Sequence, residues 1–237
     1  MPQYPLMDPT IKHGLDQFVE TVTGSFGDQL IAVVLFGSGA EDRLRPVSDL
    51  NLIIVLSTYT LARAAAFRER SAALRAALQI RTMFILDHEV ARAAQTFAVK
   101  FSDIGRRHRL LWGASDPFAS LQVDRAAAIT DLREALFDLA LRLRAQWVVR
   151  GGSADQLRVA AAEAAGGLRA CAGELLTLEG SPAPSPREAL DTIAGAPLAA
   201  LTAARTTADV DAATAEKLFI QLLTLVGTMR DRAERLV

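Results

Sequence analysis

Two styles of hydrophobic patterning divide this chain into a first half of short apolar runs and a second half of long periodic ones. Short continuous or alternating apolar runs predict strands, and apolar residues recurring every three to four positions predict helices. The predicted strands are 31–36, 50–56, 81–86 and 97–104, the predicted helices are 11–25, 61–78 and 88–95, and residues 106–112 fit a helix or a strand. The fourth strand depends on the alternation of Phe97, Val99 and Phe101. The first half therefore predicts a small α/β domain.

The second half shows three long apolar registers with helical spacing. They are Leu132, Leu136, Leu139, Leu143 and Trp147; Leu157, Ala161, Ala164, Leu168, Cys171, Leu175 and Leu178; and Leu218, Leu222, Leu225, Met229, Ala233 and Leu236. Such faces are typical of helical bundles. Ser153 and Ser185 each precede a residue pattern that starts a helix. We place the boundary between the two halves close to residue 115.

Composition limits the possible functions. The 237 residues carry a formal charge of −1, which gives no basic excess for general binding to nucleic acid or to an anionic membrane. No apolar run approaches the roughly 18 residues of a membrane span, and the first residues lack a signal-peptide pattern. The single cysteine, Cys171, has no internal disulfide partner. These features together predict a cytoplasmic protein.

One group of residues has the chemistry of a phosphate site. The first apolar strand ends at Gly37 and Ser38, and Asp49 opens the next strand eleven residues after that serine. Asp49 and Asn51 are two apart, so both side chains project from one face of their strand. A glycine lets the backbone approach a phosphate closely, a helix start after it would offer N–H groups, and the hydroxyl adds another donor. Acidic groups on the adjacent strand would hold Mg²⁺ against the same phosphates.

This arrangement resembles the nucleotidyltransferase superfamily, which has the DNA polymerase β-like fold. The resemblance covers roughly residues 15–113. The helical second half resembles the small bacterial members, including aminoglycoside nucleotidyltransferases. It implies an α/β (α+β) nucleotidyltransferase domain with a mixed sheet over 1–115 and an all-α helical-bundle domain over 116–237.

The resemblance also implies an activity and a set of site residues. A nucleoside monophosphate would pass from an NTP, which we expect to be ATP, to a hydroxyl of a small-molecule or protein acceptor. Asp49 and Asn51 would bind Mg²⁺ in an active enzyme. The nucleotide-binding residues would be Gly37, Ser38, Arg43, Arg45 and Ser48.

Departures from the family pattern leave the activity open. Asn51 stands where the family has a second acid, and the predicted fourth strand has Lys100 where the third acid is expected. Asp103 is a distant candidate base, on the opposite face of a regular strand from Lys100. The Lys100 ammonium could instead take the place of a metal or contact a phosphate. The alternatives are an active transferase, a catalytically impaired nucleotide-binding, sensing or scaffold module, and a partner-binding helical protein, for example a homodimer.

Overall fold

The computed structural model describes residues 8–40, 49–182, 185–206 and 211–237. The strands there are β1 (Leu30–Phe36), β2 (Leu50–Leu56), β3 (Ile80–Leu86) and β4 (His108–Gly113). The helices are α1 (Pro9–Phe26), α2 (Leu61–Ala77), α3 (Val90–Thr96), α4 (Ala98–Arg106), α5 (Arg125–Arg150), α6 (Ala154–Leu178), α7 (Pro186–Ala194), α8 (Ala199–Thr206) and α9 (Ala212–Glu234).

The chain forms two compact units that are not separated at a single point. One unit holds the described residues up to Ala94 together with Ile104–Gln122, and the other holds Gln95–Asp103 together with the residues from Val123 onward. All four strands belong to the first unit, and α5 to α9 belong to the second. No described helix has the length and apolar character needed to cross a membrane.

The four strands form a mixed sheet in the order β3-β2-β1-β4. β1 is antiparallel to both β2 and β4, whereas β2 and β3 are parallel and are joined through α2. β1 and β2 are buried on both faces, as their consecutive apolar residues predicted. The predicted mixed sheet and the α+β class are therefore confirmed.

An aromatic cluster joins α1 and α2 to one face of the sheet. Phe67 of α2 meets Phe18 and Phe26 of α1, with ring centroids 5.7 and 5.4 Å apart, and Phe84 of β3 at 5.8 Å. Phe18, Phe26 and Phe67 are almost fully buried. Tilted and edge-on ring contacts of this kind add to the stabilisation from burial alone. The cluster fixes α2, and thereby the approach of the chain into β3.

The helical unit has the predicted faces and starts. Leu132, Leu136, Leu168, Leu175 and Leu222 are all fully buried in one core. The Ser153 and Ser185 hydroxyls accept hydrogen bonds from the backbone N–H groups of residues 156 and 188, so both serines cap their helices as expected.

The predicted strand at 97–104 is wrong, because this segment is helix α4. Phe97, which the alternation would bury, is 56% exposed, while the adjacent Ala98 and Val99 are both buried. Ala98, Phe101 and Ile104 are buried at the three-residue spacing of a helix. The Asp131 carboxylate on α5 also accepts a hydrogen bond from the Val99 N–H at 2.8 Å, which caps the first turn of α4.

Candidate functional site

β1 ends in a tight turn that begins at Gly37, whose φ of 73° suits glycine. The Gly37 N–H donates to the Arg107 carbonyl at 3.0 Å, and Arg109 of β4 donates to the Ala40 carbonyl at 3.1 Å. These contacts hold the turn against the chain that enters β4. Apart from its chain neighbours, no described residue has an atom within 4 Å of where a Gly37 Cβ would lie. The turn is a single 3-10 turn over Gly37–Gly39.

Asp49 and Asn51 lie at the same end of the sheet as this turn. Asp49 directly precedes β2, and Asn51 pairs with Phe36, the last residue of β1. The Asn51 side-chain amide donates to the Asp49 carbonyl oxygen in a long contact of 3.4 Å. Both side chains are partly buried, while the leucines on either side of Asn51 are buried. Antiparallel pairing of β1 with β2 thus brings the Gly-Ser turn and the Asp-x-Asn pair together.

Sequence reasoning missed Arg81, which forms an ion pair with Asp49. The parallel register aligns Arg81 of β3 with Asn51 of β2, and the Arg81 Nε lies 2.9 Å from the Asp49 Oδ2. The Asp49 side chain is 30% exposed and that of Arg81 is 74% exposed. The available signal was an arginine as the single charged residue of β3. Its meaning depended on knowing that β3 is the parallel neighbour of β2.

Lys100 and Asp103 lie on α4 and not on a strand. Residues three apart on a helix share a side, so the prediction that they lie on opposite faces is corrected. Both belong to the second compact unit, whereas Asp49 and Asn51 belong to the first. Lys100 is exposed, yet surrounding protein partly desolvates its ammonium and lowers the pKa of Lys100 from its ordinary value. The role of Lys100 as a metal substitute and that of Asp103 as a base stay predictions.

Arg43, Arg45 and Ser48, the other predicted nucleotide-binding residues, lie outside the described residues. Gly37 and Ser38 therefore remain as the predicted phosphate contacts whose surroundings are known. Their role in nucleotide binding also stays a prediction.

His108 is a further polar group beside the turn, because it pairs with Phe36 across β1 and β4. Its Nδ1 lies 2.8 Å from the Ile104 carbonyl oxygen, and its Nε2 lies 2.9 Å from the Asp116 Oδ2. Asp116 also accepts from the Phe118 N–H at 2.9 Å, so His108 ties the segment after β4 to the sheet.

The described donor set does not fit a two-magnesium centre. Hard divalent cations are held mainly by anionic oxygens, and among the described residues this edge offers one carboxylate, Asp49, together with the uncharged amide of Asn51. That carboxylate is already paired with a guanidinium. Across the described ranges, no group of three or more His, Cys, Asp or Glu side chains is arranged to hold a metal ion. Mg²⁺ as the cofactor of an active enzyme stays a prediction.

Comparison with known proteins supports the fold strongly. No protein-family model matches the sequence, and no curated protein matches it. Among solved structures, the chain is similar to spectinomycin adenyltransferase AAD(9) from Enterococcus faecialis, determined with ATP and spectinomycin. The TM-score is 0.65 at 13% identity, over 94% of this chain and 99% of that one. The chain thus has a nucleotidyltransferase fold resembling that of the aminoglycoside nucleotidyltransferases, as its sequence predicted.

Proposed function

We propose that this chain binds a nucleoside triphosphate at the edge of the sheet formed by the end of β1 and the start of β2, and that its nucleotidyl transfer is impaired. The observation that supports binding is the pairing of Phe36 with Asn51, which sets the Gly37–Ser38 turn beside Asp49. ATP is the first candidate, because the structurally similar adenyltransferase was determined with ATP.

The turn suits a phosphate chain in two respects. Apart from its chain neighbours, none of the described residues fills the space beside Gly37, so the backbone can approach a ligand there. Ser38, which is partly buried, lies in this turn between Gly37 and Ala40, whose N–H groups already donate within the protein. Its side chain is the one in the turn that carries a hydroxyl for a phosphate oxygen. We expect its hydroxyl to donate there.

We infer impaired nucleotidyl transfer from the charges of Asp49, Asn51 and Arg81. In-line transfer of a nucleotidyl group depends on positioning and on neutralising the charge of the phosphates, which the family does with metal ions on several carboxylates. Asn51 supplies no charge, and Asp49 shares its own with Arg81. We therefore favour the nucleotide-binding module over the active transferase. An active enzyme would release pyrophosphate in the presence of a hydroxyl acceptor.

Thermal shift against the four NTPs, each with Mg²⁺ and with EDTA, tests binding. A pyrophosphate-release assay with spectinomycin, and with other hydroxyl acceptors, tests transfer. We expect at least one NTP to raise Tm and no pyrophosphate above the background rate. Ser38→Ala should lower the shift, while Ser57→Ala, at an exposed serine of the same unit, should not.

Two outcomes would contradict the proposal. Rapid pyrophosphate release would show an active transferase. Absence of any nucleotide effect, together with a solution mass above 25.4 kDa, would favour the partner-binding alternative that rests on the helical half.

A further inference from the structure

The polar face at the start of β2 includes a positively charged side chain, Arg81. Asp49, Asn51 and Arg81 share this face, because residues two apart on a strand and residues aligned across neighbouring strands point to the same side. Arg81 reaches back from its position opposite Asn51 to the Asp49 carboxylate at 2.9 Å. A positive group thus lies on Asp49, the acid of the described site residues.

The exposure of Arg81 leaves it able to bind an anion as well. Its Nε faces Asp49, while the side chain is 74% exposed, so the other guanidinium donors are within reach of water and of a ligand in water. Guanidinium is always charged and presents five N–H donors in a planar fork that matches phosphate geometry. Exposed ion pairs contribute little free energy, so the guanidinium can contact Asp49 and a phosphate together without losing a strong interaction.

We propose that Arg81 is the phosphate-binding cation of this site, so that the protein binds the polyphosphate of an NTP without a divalent metal. The proposal rests on the proposed nucleotide binding and adds what neutralises the phosphates. Asp49 then acts as a positioning residue that orients the guanidinium. Added Mg²⁺ competes with Arg81 for the Asp49 oxygens and does not strengthen nucleotide binding.

Lys100 is another cation that the sequence indicated for this site. It lies on α4 in the other compact unit, whereas Arg81 is placed by the same strand pairing that places Asn51. Arg81 is therefore the cation whose position is fixed by the strand pairing that also forms the site.

Isothermal titration of the full chain with ATP, in EDTA and in Mg²⁺, tests the proposal. We expect affinities within about threefold of each other in the two conditions, and Arg81→Gln should weaken binding in EDTA by about tenfold or more. Arg81→Lys should lose less, because it keeps the charge but not the fork. Arg68→Gln is the matched control, since it removes an exposed arginine from α2 of the same unit. Circular dichroism and Tm establish that each variant is folded.

The outcomes separate this inference from the function on which it rests. No ATP binding in either condition would remove the proposed function. ATP binding that requires Mg²⁺, or an Arg81→Gln variant that binds in EDTA as well as Arg68→Gln does, would overturn the role of Arg81 and leave nucleotide binding in place. Metal-independent binding that is lost selectively in Arg81→Gln would support both.

Discussion

Converting the polar face of Asp49, Asn51 and Arg81 into an acidic one should create a metal site at the start of β2. The double variant Asn51→Asp with Arg81→Glu changes the summed charge of residues 49, 51 and 81 from zero to three negative charges, and Asp49 loses its guanidinium partner. Residues on one face of adjacent strands are about 5–7 Å apart. At the dielectric of water, each carboxylate pair at about 6 Å then costs about 0.7 kcal/mol, so three pairs cost about 2 kcal/mol.

Loss of the exposed ion pair adds about 0–1 kcal/mol to this cost. Without metal, the variant should therefore unfold about 4–12 °C below the natural protein in low salt, since 1 kcal/mol shifts Tm by about 2–4 °C in a chain of this size. Adding Mg²⁺ should restore most of the loss, because anionic oxygens are its preferred ligands. The natural protein should show little change with Mg²⁺.

Thermal unfolding in EDTA and over a MgCl₂ titration measures both effects. The double variant Gln17→Glu with Arg68→Glu makes the same change of charge on exposed positions of α1 and α2 and serves as the control. The reasoning would be refuted if Mg²⁺ stabilised the site variant no more than this control. It would also be refuted if the natural protein already gained several degrees from Mg²⁺ alone.

Three further predictions concern helix capping, the thiol and the turn. Asp131→Ala should cost about 1 kcal/mol in urea unfolding by leaving the Val99 N–H of α4 uncapped, whereas Asp131→Asn should cost less. Burial raises the pKa of Asp131. The stability that this raised pKa contributes should therefore be full below the unfolded-state pKa and should be lost as pH rises through the folded-state pKa. Asp131→Asn should remove this pH dependence of the free energy of unfolding. Burial, with smaller effects from the nearby carboxylates, raises the pKa of Cys171 to about 12, so a disulfide reagent at pH 8 should label it only after denaturation. Rapid labelling of the native protein would contradict that burial. Gly37→Ala should lower the free energy of unfolding by about 1–2 kcal/mol because of the positive φ, although no described residue beyond its chain neighbours lies within 4 Å of the new Cβ. An unchanged Tm would show that the turn relaxes.

Much of the fold follows from local patterns. Apolar runs of strand length ended where β1 and β2 end, and the helical registers around Leu136 and Leu222 became buried faces. These predictions succeeded because periodicity selects the backbone conformation and the buried face together. The Gly37–Ser38 and Asp49 motif was equally local, and the order of its elements was enough to indicate a nucleotidyltransferase fold.

The error at α4 shows where local pattern is insufficient. Three alternating apolar residues fit a strand, but Phe97 is exposed and a carboxylate 32 residues away satisfies the first turn of a helix. A short segment has little intrinsic preference, so the partner that accepts its backbone N–H groups decides its conformation. Because Lys100 lies on a helix and not on a strand, the prediction that Lys100 and Asp103 lie on opposite faces no longer applies.

The sequence by itself determined the two-part organisation, most of the elements and the spacing that makes Gly37, Ser38 and Asp49 a predicted phosphate site, because each depends on neighbours along the chain. Only the tertiary structure decided what surrounds Asp49. Arg81 lies 32 residues beyond it in sequence, and the parallel register of β2 and β3 brings the guanidinium to the carboxylate. Strand pairing is a long-range choice that the strand sequences leave open, since apolar runs suit many neighbours. The pairing of the Asp49 charge with that of Arg81 therefore follows from the strand order of the sheet and not from the sequence of either strand.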